Sequence, residues 1–420
     1  MSEQVFCWCV AHKVVGARRG RCTGSDSGFL FGFLQGGDNP AHVDAVVLNF
    51  VRGGPRCRGG VRSIPSRRRR KNVHDMRTFS ENMRQVWITR HGPPEVLELR
   101  DAVVPEPSRD EVLIKVAVAG INFADIMARL GLYPDAPKPP CVVGYEVAGE
   151  VAAVGSSAVG FAVGNRVVAL TRFGGYSSYV SVPENQVFRM SPDLNFAQGA
   201  ALPVTYLTAY QLVIAMGRLH EDETMLVHSA AGGVGLSAIE LAAIIGAKVI
   251  GVAPSAKHNF LRQRGVQGLI DSRAGDIVDR VKQLTGGRGV DLVLDARGGR
   301  SWRDSYDCLA PTGRLAVFGL ATAVGGGRWL GTVRALLGVP WLRFNPLRLM
   351  NDNRGVFGVN IGHLWDQHEM IRKWMTQILE WQLQGKITPV VDRSFAFAEA
   401  ASAHRHIERR ANIGKVVLVP

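Results

Sequence analysis

The sequence predicts an α/β protein in which a β-barrel domain is joined to a doubly wound parallel-sheet domain. Two patterns carry this prediction. Short apolar strands separated by glycine and proline fill residues 84–170, and such a series is typical of a barrel. Strands then alternate with helical patterns over residues 224–318, which is typical of a parallel sheet with helices on its faces.

In the barrel region, the stretch 111–119 shows the clearest strand pattern. It alternates apolar and polar residues, so Val112, Ile114, Val116 and Val118 are expected on one face. Such an alternation predicts a strand with one face in the core of the barrel.

One complete strand–turn–helix–strand unit spans residues 224–255. An apolar run at 225–227 predicts a buried strand, a helical pattern follows and ends at Gly246, and a second strand covers 248–252. The turn of such a unit faces the helix N-terminus, where the phosphates of a dinucleotide bind.

The turn of this unit is built from small residues. Aligned on the dinucleotide-binding pattern G-x-G-x-x-G, its three positions are Ala230, Gly232 and Gly235. Gly232 allows the backbone to approach a phosphate, and Gly235 allows helix and strand to pack closely. We therefore expect the cofactor to lie along Ala230, Gly232, Gly233, Val234 and Gly235.

The end of the second strand favours NADPH over NADH. An NAD site usually carries Asp or Glu about 20 residues after the turn. Here the strand ends in Ala253 and is followed by Ser255 and Lys257. A hydroxyl and a cation suit a 2′-phosphate, which a carboxylate would repel. The alternative is that Lys257 is a solvated surface lysine at a helix start.

The net charge of +14 is concentrated at the start of the chain. Residues 1–82 carry 14 basic and 6 acidic side chains, a net charge of +8, and show no sustained apolar period. We expect a disordered extension, or one translated from upstream of the true initiator, for which Met83 is the candidate. An organelle transit peptide would also be rich in arginine, but the many glycines and the scattered acidic residues of this segment fit one poorly. A nucleic-acid arm is a weaker alternative, and no nucleic-acid partner is expected.

Several motifs are shared with one known family: GINFADIMARLGLYP, GYEVAGEV, GNRVVAL, LPVTYLTAY, HSAAGGVG and NIGKVVLVP. Through them, residues 84–420 resemble the zinc-free quinone oxidoreductases of the medium-chain dehydrogenase/reductase superfamily. The segments SAKH and NRGVFGVNIGHLW are most similar to the vesicle amine transport protein homologues. The resemblance implies a GroES-like β-barrel substrate domain at 83–204 and 351–420, a Rossmann cofactor domain at 205–350, and a cytoplasmic homodimer.

The resemblance also bears on zinc. Zinc-dependent relatives carry a cysteine in a C-x-x-[SD] segment and a histidine in a GHE segment. This chain has NFAD, ending at Asp125, and GYE, ending at Glu146. A catalytic zinc needs three protein ligands, which Asp125 and Glu146 alone do not supply. We predict that the protein holds no metal and does not act by Lewis-acid activation of an alcohol.

In the resembled family, Asn122, Asp125 and Tyr133 line the cleft near the nicotinamide. Asn122 would polarise the oxygen of the acceptor, and Tyr133 or a water would deliver a proton. From the residues alone, Asn122 is as well explained by a turn, and Tyr133 by packing on Pro134.

Further cofactor contacts are also implied by the resemblance. Expected contacts with the nicotinamide half are Thr208, Phe318, Gly319, Leu320, Phe357 and Val359. Arg410 matches an arginine that reaches the 2′-phosphate, and its alternative is a surface charge near a helix end. Ser272 stands where relatives often have a tyrosine near the adenosine phosphate, which weakens the case for NADPH.

Residues 325–350 interleave bulky apolar residues with arginines. Such a segment covers a pocket, contacts a second subunit or lies on a membrane surface. The leading function is hydride transfer from NADPH to a quinone or an α,β-unsaturated carbonyl. The alternative is a non-catalytic, nucleotide-binding adaptor of membrane or vesicle-associated assemblies.

Overall fold

Strands and helices alternate along the computed structural model, which describes residues 82–324 and 344–420. The strands are β1 (Asn82–Ile88), β2 (Leu97–Val103), β3 (Glu111–Gly120), β4 (Cys141–Val142), β5 (Glu146–Val154), β6 (Arg166–Leu170), β7 (Tyr179–Pro183), β8 (Val187–Arg189), β9 (Thr224–His228), β10 (Lys248–Ala253), β11 (Gly268–Asp271), β12 (Val290–Asp295), β13 (Leu309–Val317), β14 (Gly355–Gly358), β15 (Val391–Ala396) and β16 (Lys415–Val419). The helices are α1 (Phe123–Leu130), α2 (Phe196–Ala200), α3 (Pro203–Tyr210), α4 (Gly233–Ile245), α5 (His258–Gln263), α6 (Ile277–Leu284), α7 (Arg300–Asp307), α8 (Pro346–Asp352), α9 (His368–Leu383) and α10 (Ala400–Glu408). The expectations for the N-terminal extension and for most of 325–350 lie outside the described residues.

The first domain is built from two sheets. A small sheet has the strand order β2-β1-β4, and a larger one has the order β15-β16-β3-β5-β6-β8, with β7 also paired to β3. The central strand β3 pairs with β5, β7 and β16. The closing strand β16 therefore completes the domain that the first strands begin, and the predicted barrel domain is confirmed.

Strand β3 shows how far the apolar alternation sets the register. Val112, Ile114 and Val116 lie in the main barrel core, as the pattern predicts. The pairing with β5 shifts register twice, and Val118 packs into a different core, shared with α3 and α9. Leu113 is also fully buried, in a small separate core. The strand is therefore covered on both sides rather than on one.

The second domain is a six-stranded sheet whose pairs are all parallel. Its order is β11-β10-β9-β12-β13-β14, with apolar cores on both faces. The order reverses between β9 and β12, and ligands of such sheets bind outside the carboxyl ends at that point. The doubly wound domain is confirmed, and β9 leads into the predicted dinucleotide turn.

The boundary between the two domains differs from the prediction. The expectation that residues 351–420 all return to the barrel is wrong for β14, because this strand pairs with β13 as the sixth strand of the parallel sheet. A four-residue apolar strand between glycines does not reveal its partner from sequence. Beyond it, α9 packs against α3, where the rings of Tyr210 and Trp374 stack with centroids 5.4 Å apart.

The two cysteines of the described part of the chain, Cys141 and Cys308, are free and buried. Burial raises the pKa of both thiols. Each behaves as a small core hydrophobe, as expected for a buried cysteine.

A buried polar network joins α1 to α10 inside the barrel domain. The hydroxyl of Tyr176 lies 3.2 Å from Nε2 of His404. Arg129 donates to the Gly92 carbonyl at 3.0 Å and forms an ion pair with Glu408. Burial, with the charge of Arg129, lowers the pKa of His404 to about 3. His404 is therefore neutral at neutral pH, and its protonation opposes folding.

The substitution His404→Gln should make the protein less sensitive to acid. An unfolded histidine titrates near pH 6.5, and the folded one near 3. The folded state is therefore favoured in full above pH 6.5 and loses stability as the pH falls from 6.5 towards 3. Denaturant unfolding at pH 8 and pH 5 should show a smaller loss for the variant than for the wild type. His220→Gln, on the exposed surface, is the control, and equal losses in all three proteins would contradict the prediction.

Candidate active site

The predicted dinucleotide turn has no room for side chains at its glycines. Gly232 is the N-cap of α4 and has an extended backbone. A Cβ on Gly235 would lie 2.6 Å from the Ser229 carbonyl oxygen, and one on Gly233 would lie 2.9 Å from Cγ2 of Thr205. The bare backbone at the start of α4 fits the phosphates of a dinucleotide, because the free N–H groups and the helix dipole face that point.

The carboxyl edge of the parallel sheet gathers the other predicted cofactor residues. Ser255 and Lys257 follow β10, and Ser272 follows β11, where its N–H donates to the Ala253 carbonyl at 3.1 Å. The remaining contacts follow β13 or belong to the end of β14: Phe318, Gly319, Leu320, Phe357 and Val359. The turn and these strand ends form one edge, here termed the cofactor edge.

Lys257 is not a free surface lysine. Its Nζ donates to the backbone carbonyls of Arg410 at 2.8 Å and Asn412 at 2.6 Å, and burial lowers its pKa. Two of its three N–H donors therefore tie the cofactor edge to the segment between α10 and β16. The bonds place Arg410 beside Lys257, and the third donor is available to a ligand.

A carboxylate that the sequence analysis missed lies beside Ser255. Asp271 is the last residue of β11 and pairs with Ala253 at the end of β10. It accepts a hydrogen bond from the N–H of Arg273 at 3.0 Å, and this bond, with a further one from Ser255, lowers its pKa. The end of β10 carries no acid, but the neighbouring strand β11 supplies one. The cations are thus the remaining support for NADPH.

Asn122 belongs to a buried cluster with Glu146 and Lys415, here termed the Lys415 cluster. Its Nδ2 donates to Oε1 of Glu146 at 2.9 Å, and its Oδ1 accepts from Nζ of Lys415 at 2.5 Å. Lys415 also forms an ion pair with Glu146, whose Oε2 accepts from the N–H of Val204 at 2.7 Å. Glu146 is fully buried and Lys415 is 4% exposed. Asn122 can offer a ligand its second amide N–H.

Asp125 does not line the cleft, so its prediction as a catalytic residue is wrong. The side chain is fully buried, and its oxygens accept from the N–H groups of Asn122 at 2.7 Å and Gly144 at 3.0 Å. Burial raises its pKa to about 7. Asn122 and Asp125 form the capping box of α1, a spacing that the sequence NFAD already shows. Asp125 is a positioning residue for Asn122.

Tyr133 lies in a cleft between the barrel domain and the segment that follows β14. The cleft is lined by four aromatic rings and by four side chains that can carry a charge: Tyr133, Tyr145, Phe173, Trp365, Asp135, Arg172, His363 and Asp366. Tyr133 meets Tyr145 edge-on, with ring centroids 6.0 Å apart. Burial, with the charge of Asp135, raises the pKa of Tyr133. Its hydroxyl therefore stays protonated at neutral pH and can donate a hydrogen bond.

This aromatic cleft adjoins the cofactor edge. Tyr133 and Leu320 pack against the same buried side chain, that of Met127. Tyr133 is also hydrogen-bonded to Asn360, which directly follows Val359. The cleft thus reaches the strand ends where the nicotinamide half of a cofactor is expected.

The hydroxyl of Thr208 is used inside α3. It donates to the Val204 carbonyl at 2.7 Å, and the side chain is buried. One turn earlier, Thr205 faces the dinucleotide turn and contacts Gly233. Thr205 and Lys415 are not recognisable as site residues in the sequence, because only tertiary packing brings them to the dinucleotide turn.

Family models match both domains. The model for the alcohol dehydrogenase GroES-like domain covers residues 108–192, and the model for zinc-binding dehydrogenases covers residues 264–418. Within the described residues, no group of three or more His, Cys, Asp and Glu side chains could hold a metal ion. The metal-free assignment stays a prediction.

Known proteins resemble the chain over most of its length. A synaptic vesicle membrane protein VAT-1 homolog from Rattus norvegicus is 37% identical over 327 residues, which are 77% of this chain and 80% of the relative. A quinone oxidoreductase from Pseudomonas aeruginosa is 34% identical over 339 residues, 80% of this chain and 99% of that protein. The crystal structure of the Escherichia coli quinone oxidoreductase complexed with NADPH superimposes with a TM-score of 0.72 at 30% sequence identity. The match covers 80% of this chain and 100% of the Escherichia coli chain.

A GroES-like barrel joined to a parallel sheet with a dinucleotide turn defines a nucleotide-dependent oxidoreductase of the medium-chain dehydrogenase/reductase type. Within that superfamily, the chain belongs to the quinone oxidoreductase and VAT-1 homolog family.

The substitution Lys415→Met should lower the free energy of unfolding by about 3–5 kcal/mol, because it leaves the carboxylate of Glu146 buried without its counter-ion. The double substitution Glu146→Gln with Lys415→Met should recover most of that loss. Denaturant titration measures both. Lys248→Met, on an exposed lysine, is the matched control and should change stability by less than about 0.5 kcal/mol. A loss for Lys415→Met no larger than for this control would disprove the role of the ion pair.

Proposed function

We propose that this chain is a zinc-independent oxidoreductase that transfers a hydride from NADPH to a quinone or an α,β-unsaturated carbonyl. The observation that carries the proposal is the cleft lined by four aromatic rings, because Tyr133 connects it to the cofactor edge. Tyr133 is hydrogen-bonded to Asn360 and packs on the same side chain, Met127, as Leu320. Aromatic walls suit a flat conjugated acceptor, because rings pack well on π surfaces. The names and structures of the quinone oxidoreductase relatives support the same substrate class.

Reduction of either acceptor requires one hydride and one proton. When bound, NADPH supplies the hydride, and the protein contributes position, exclusion of water and the proton. Asn122 can direct its second amide N–H at the acceptor oxygen, where negative charge develops. Tyr133 or a water then supplies the proton, since a phenol is protonated at neutral pH.

In zinc-dependent relatives, two segments supply ligands to the metal. In this chain, the ammonium group of Lys415 lies at the corresponding segments. The corresponding segments here contribute Asn122 and Glu146, and both side chains bind the ammonium group of Lys415. A divalent cation at these groups would have to displace that ammonium. This arrangement supports a zinc-independent reaction.

The choice of NADPH rests on two cations at the cofactor edge. Lys257 retains one N–H donor, and Arg410 is held beside it by the bond from Lys257 to the Arg410 carbonyl. Asp271, bonded to Ser255, provides the opposing feature, a carboxylate where the ribose hydroxyls of a dinucleotide are expected. Charge-assisted bonds from two cations would favour a 2′-phosphate more than this single carboxylate opposes it. The NADPH-bound structure of a relative supports this choice.

A second candidate function is a nucleotide-binding adaptor that contacts membranes peripherally. Relatives named as synaptic vesicle membrane proteins favour it, as do Leu347 and Met350 on α8, which are 70% and 66% exposed. In the described part of the chain, no helix could cross a membrane. A second subunit or a membrane surface would cover these two side chains, which lie at the end of the segment 325–350. The cytoplasm is the proposed site of action in both cases.

The substitution Tyr133→Phe tests the reaction. In a screen of quinones and enones with NADPH, the wild type should turn over at least one acceptor. The variant should lower kcat about tenfold or more, because it lacks the donated proton, while the dissociation constant for NADPH stays unchanged. Tyr210→Phe, with its ring stacked on Trp374 away from the cleft, is the control. Equal kcat in the wild type and Tyr133→Phe removes Tyr133 from the mechanism. NADPH binding without turnover of any acceptor favours the adaptor.

The cofactor preference is tested by Lys257→Ala and Arg410→Ala. Each should weaken NADPH binding about tenfold and leave NADH binding nearly unchanged, because NADH lacks the 2′-phosphate. Ala253→Asp should shift the preference towards NADH. Arg409→Ala, on an exposed neighbour, is the control. Equal losses for both nucleotides would mean that these residues support the fold, and a wild type that binds neither nucleotide would end the enzyme proposal.

A further inference from the structure

Arg297 stands in a rigid turn at the carboxyl end of β12, beside the dinucleotide turn. Strand β12 is the direct neighbour of β9. Oδ1 of Asp295 accepts from the N–H groups of Arg297 at 2.6 Å and Gly298 at 3.4 Å. Oδ2 of Asp295 accepts from the hydroxyls of Ser301 and Ser305, both at 2.7 Å. The carboxylate is fully buried, so the turn is fixed from inside the domain.

The side chain of Arg297 carries an unused donor. Its Nε is buried and has no hydrogen-bond partner among the described residues. A buried N–H without an acceptor is unfavourable, and a guanidinium is suited to phosphate oxygens. This donor therefore indicates an anionic ligand in the bound state.

A second guanidinium lies near the first. Arg410 is exposed as a residue, but partial burial of its guanidinium lowers its pKa, and repulsion by Arg297 lowers it further. Burial lowers the pKa of His228, the last residue of β9, and the charge of Arg297 also lowers it. Arg297 is thus within electrostatic reach of both the end of β9 and Arg410. An anion bound to Arg297 would offset the repulsion between the two guanidinium groups.

We propose that Arg297 binds the diphosphate of the cofactor beside the dinucleotide turn. The inference rests on the proposed function, since it presupposes a bound dinucleotide. The diphosphate is assigned, rather than the 2′-phosphate, because β12 and β10 lie on opposite sides of β9. Ser255 and Lys257 follow β10, on the side of the adenosine ribose, whereas Arg297 follows β12. Asp295 is then the positioning residue for Arg297.

The test measures binding to the purified full chain by titration calorimetry. Three ligands separate the phosphates: NADPH has both groups, NADH has only the diphosphate, and adenosine 2′-monophosphate has only the 2′-phosphate. Arg297→Leu should weaken NADPH and NADH alike, about tenfold, and leave binding of the monophosphate unchanged. Arg297→Lys, which keeps the charge, should restore part of the loss. Arg300→Leu makes the same change at the exposed first residue of α7 and should leave the binding of all three ligands unchanged.

Three results would overturn the inference: unchanged binding of both dinucleotides, a loss for NADPH alone, or an equal loss for the 2′-monophosphate. A loss for NADPH alone would place Arg297 at the 2′-phosphate. If Arg297→Leu shows no cooperative thermal unfolding, the same comparison is made with Arg297→Lys and Arg297→Gln. A wild type that binds neither dinucleotide defeats the proposed function itself. A wild type that binds both, with Arg297→Leu binding equally well, defeats only this inference.

Discussion

The buried ion pair between Lys415 and Glu146 is the interaction on which the candidate site depends. An unpaired charge in this place would be strongly unfavourable, so the two side chains must meet, and each brings a different segment with it. Lys415 begins the closing strand β16, and Glu146 begins β5 and accepts from the first turn of α3. Asn122 is held between them. The need to pair these two charges therefore fixes the barrel against α3, the helix that precedes β9 and the dinucleotide turn.

Local patterns in the sequence were sufficient for the fold and for the dinucleotide turn. The turn from Ala230 to Gly235 is recognisable because its strand, glycines and helix are contiguous, and parallel strands bring later strand ends to the same edge. The role expected for Asp125 was implied by the family resemblance, and its burial in the capping box of α1 contradicts that role. Asp271 and Lys415 could not be recognised in the sequence for another reason. Asp271 lies beside Ala253 only because β11 pairs with β10, and Lys415 meets Glu146 only in the folded barrel.

The two domains contribute different parts of the proposed chemistry. The parallel sheet presents backbone and cations along its carboxyl edge, which suits an extended, anionic nucleotide. The barrel contributes a fixed amide at Asn122 and a phenol at Tyr133, which suit an uncharged oxygen that becomes negative during reduction. Asp125 touches neither partner directly, yet it sets the angle of Asn122 through the first turn of α1. Substrate range is therefore expected to vary with the barrel side of the cleft, and cofactor range with the sheet.

Gly414 lies far from the dinucleotide turn in sequence but is joined to it by backbone pairing. Its N–H donates to the Ala231 carbonyl at 2.8 Å, and it forms a parallel bridge with Gly232. Its φ is +85°, and a Cβ there would collide with the Val390 carbonyl. Natural variants at this position should therefore be classed with nucleotide-site variants rather than with changes in a remote tail. For inherited or engineered substitutions in this chain, distance in sequence from the glycine motif therefore does not predict whether nucleotide binding is affected.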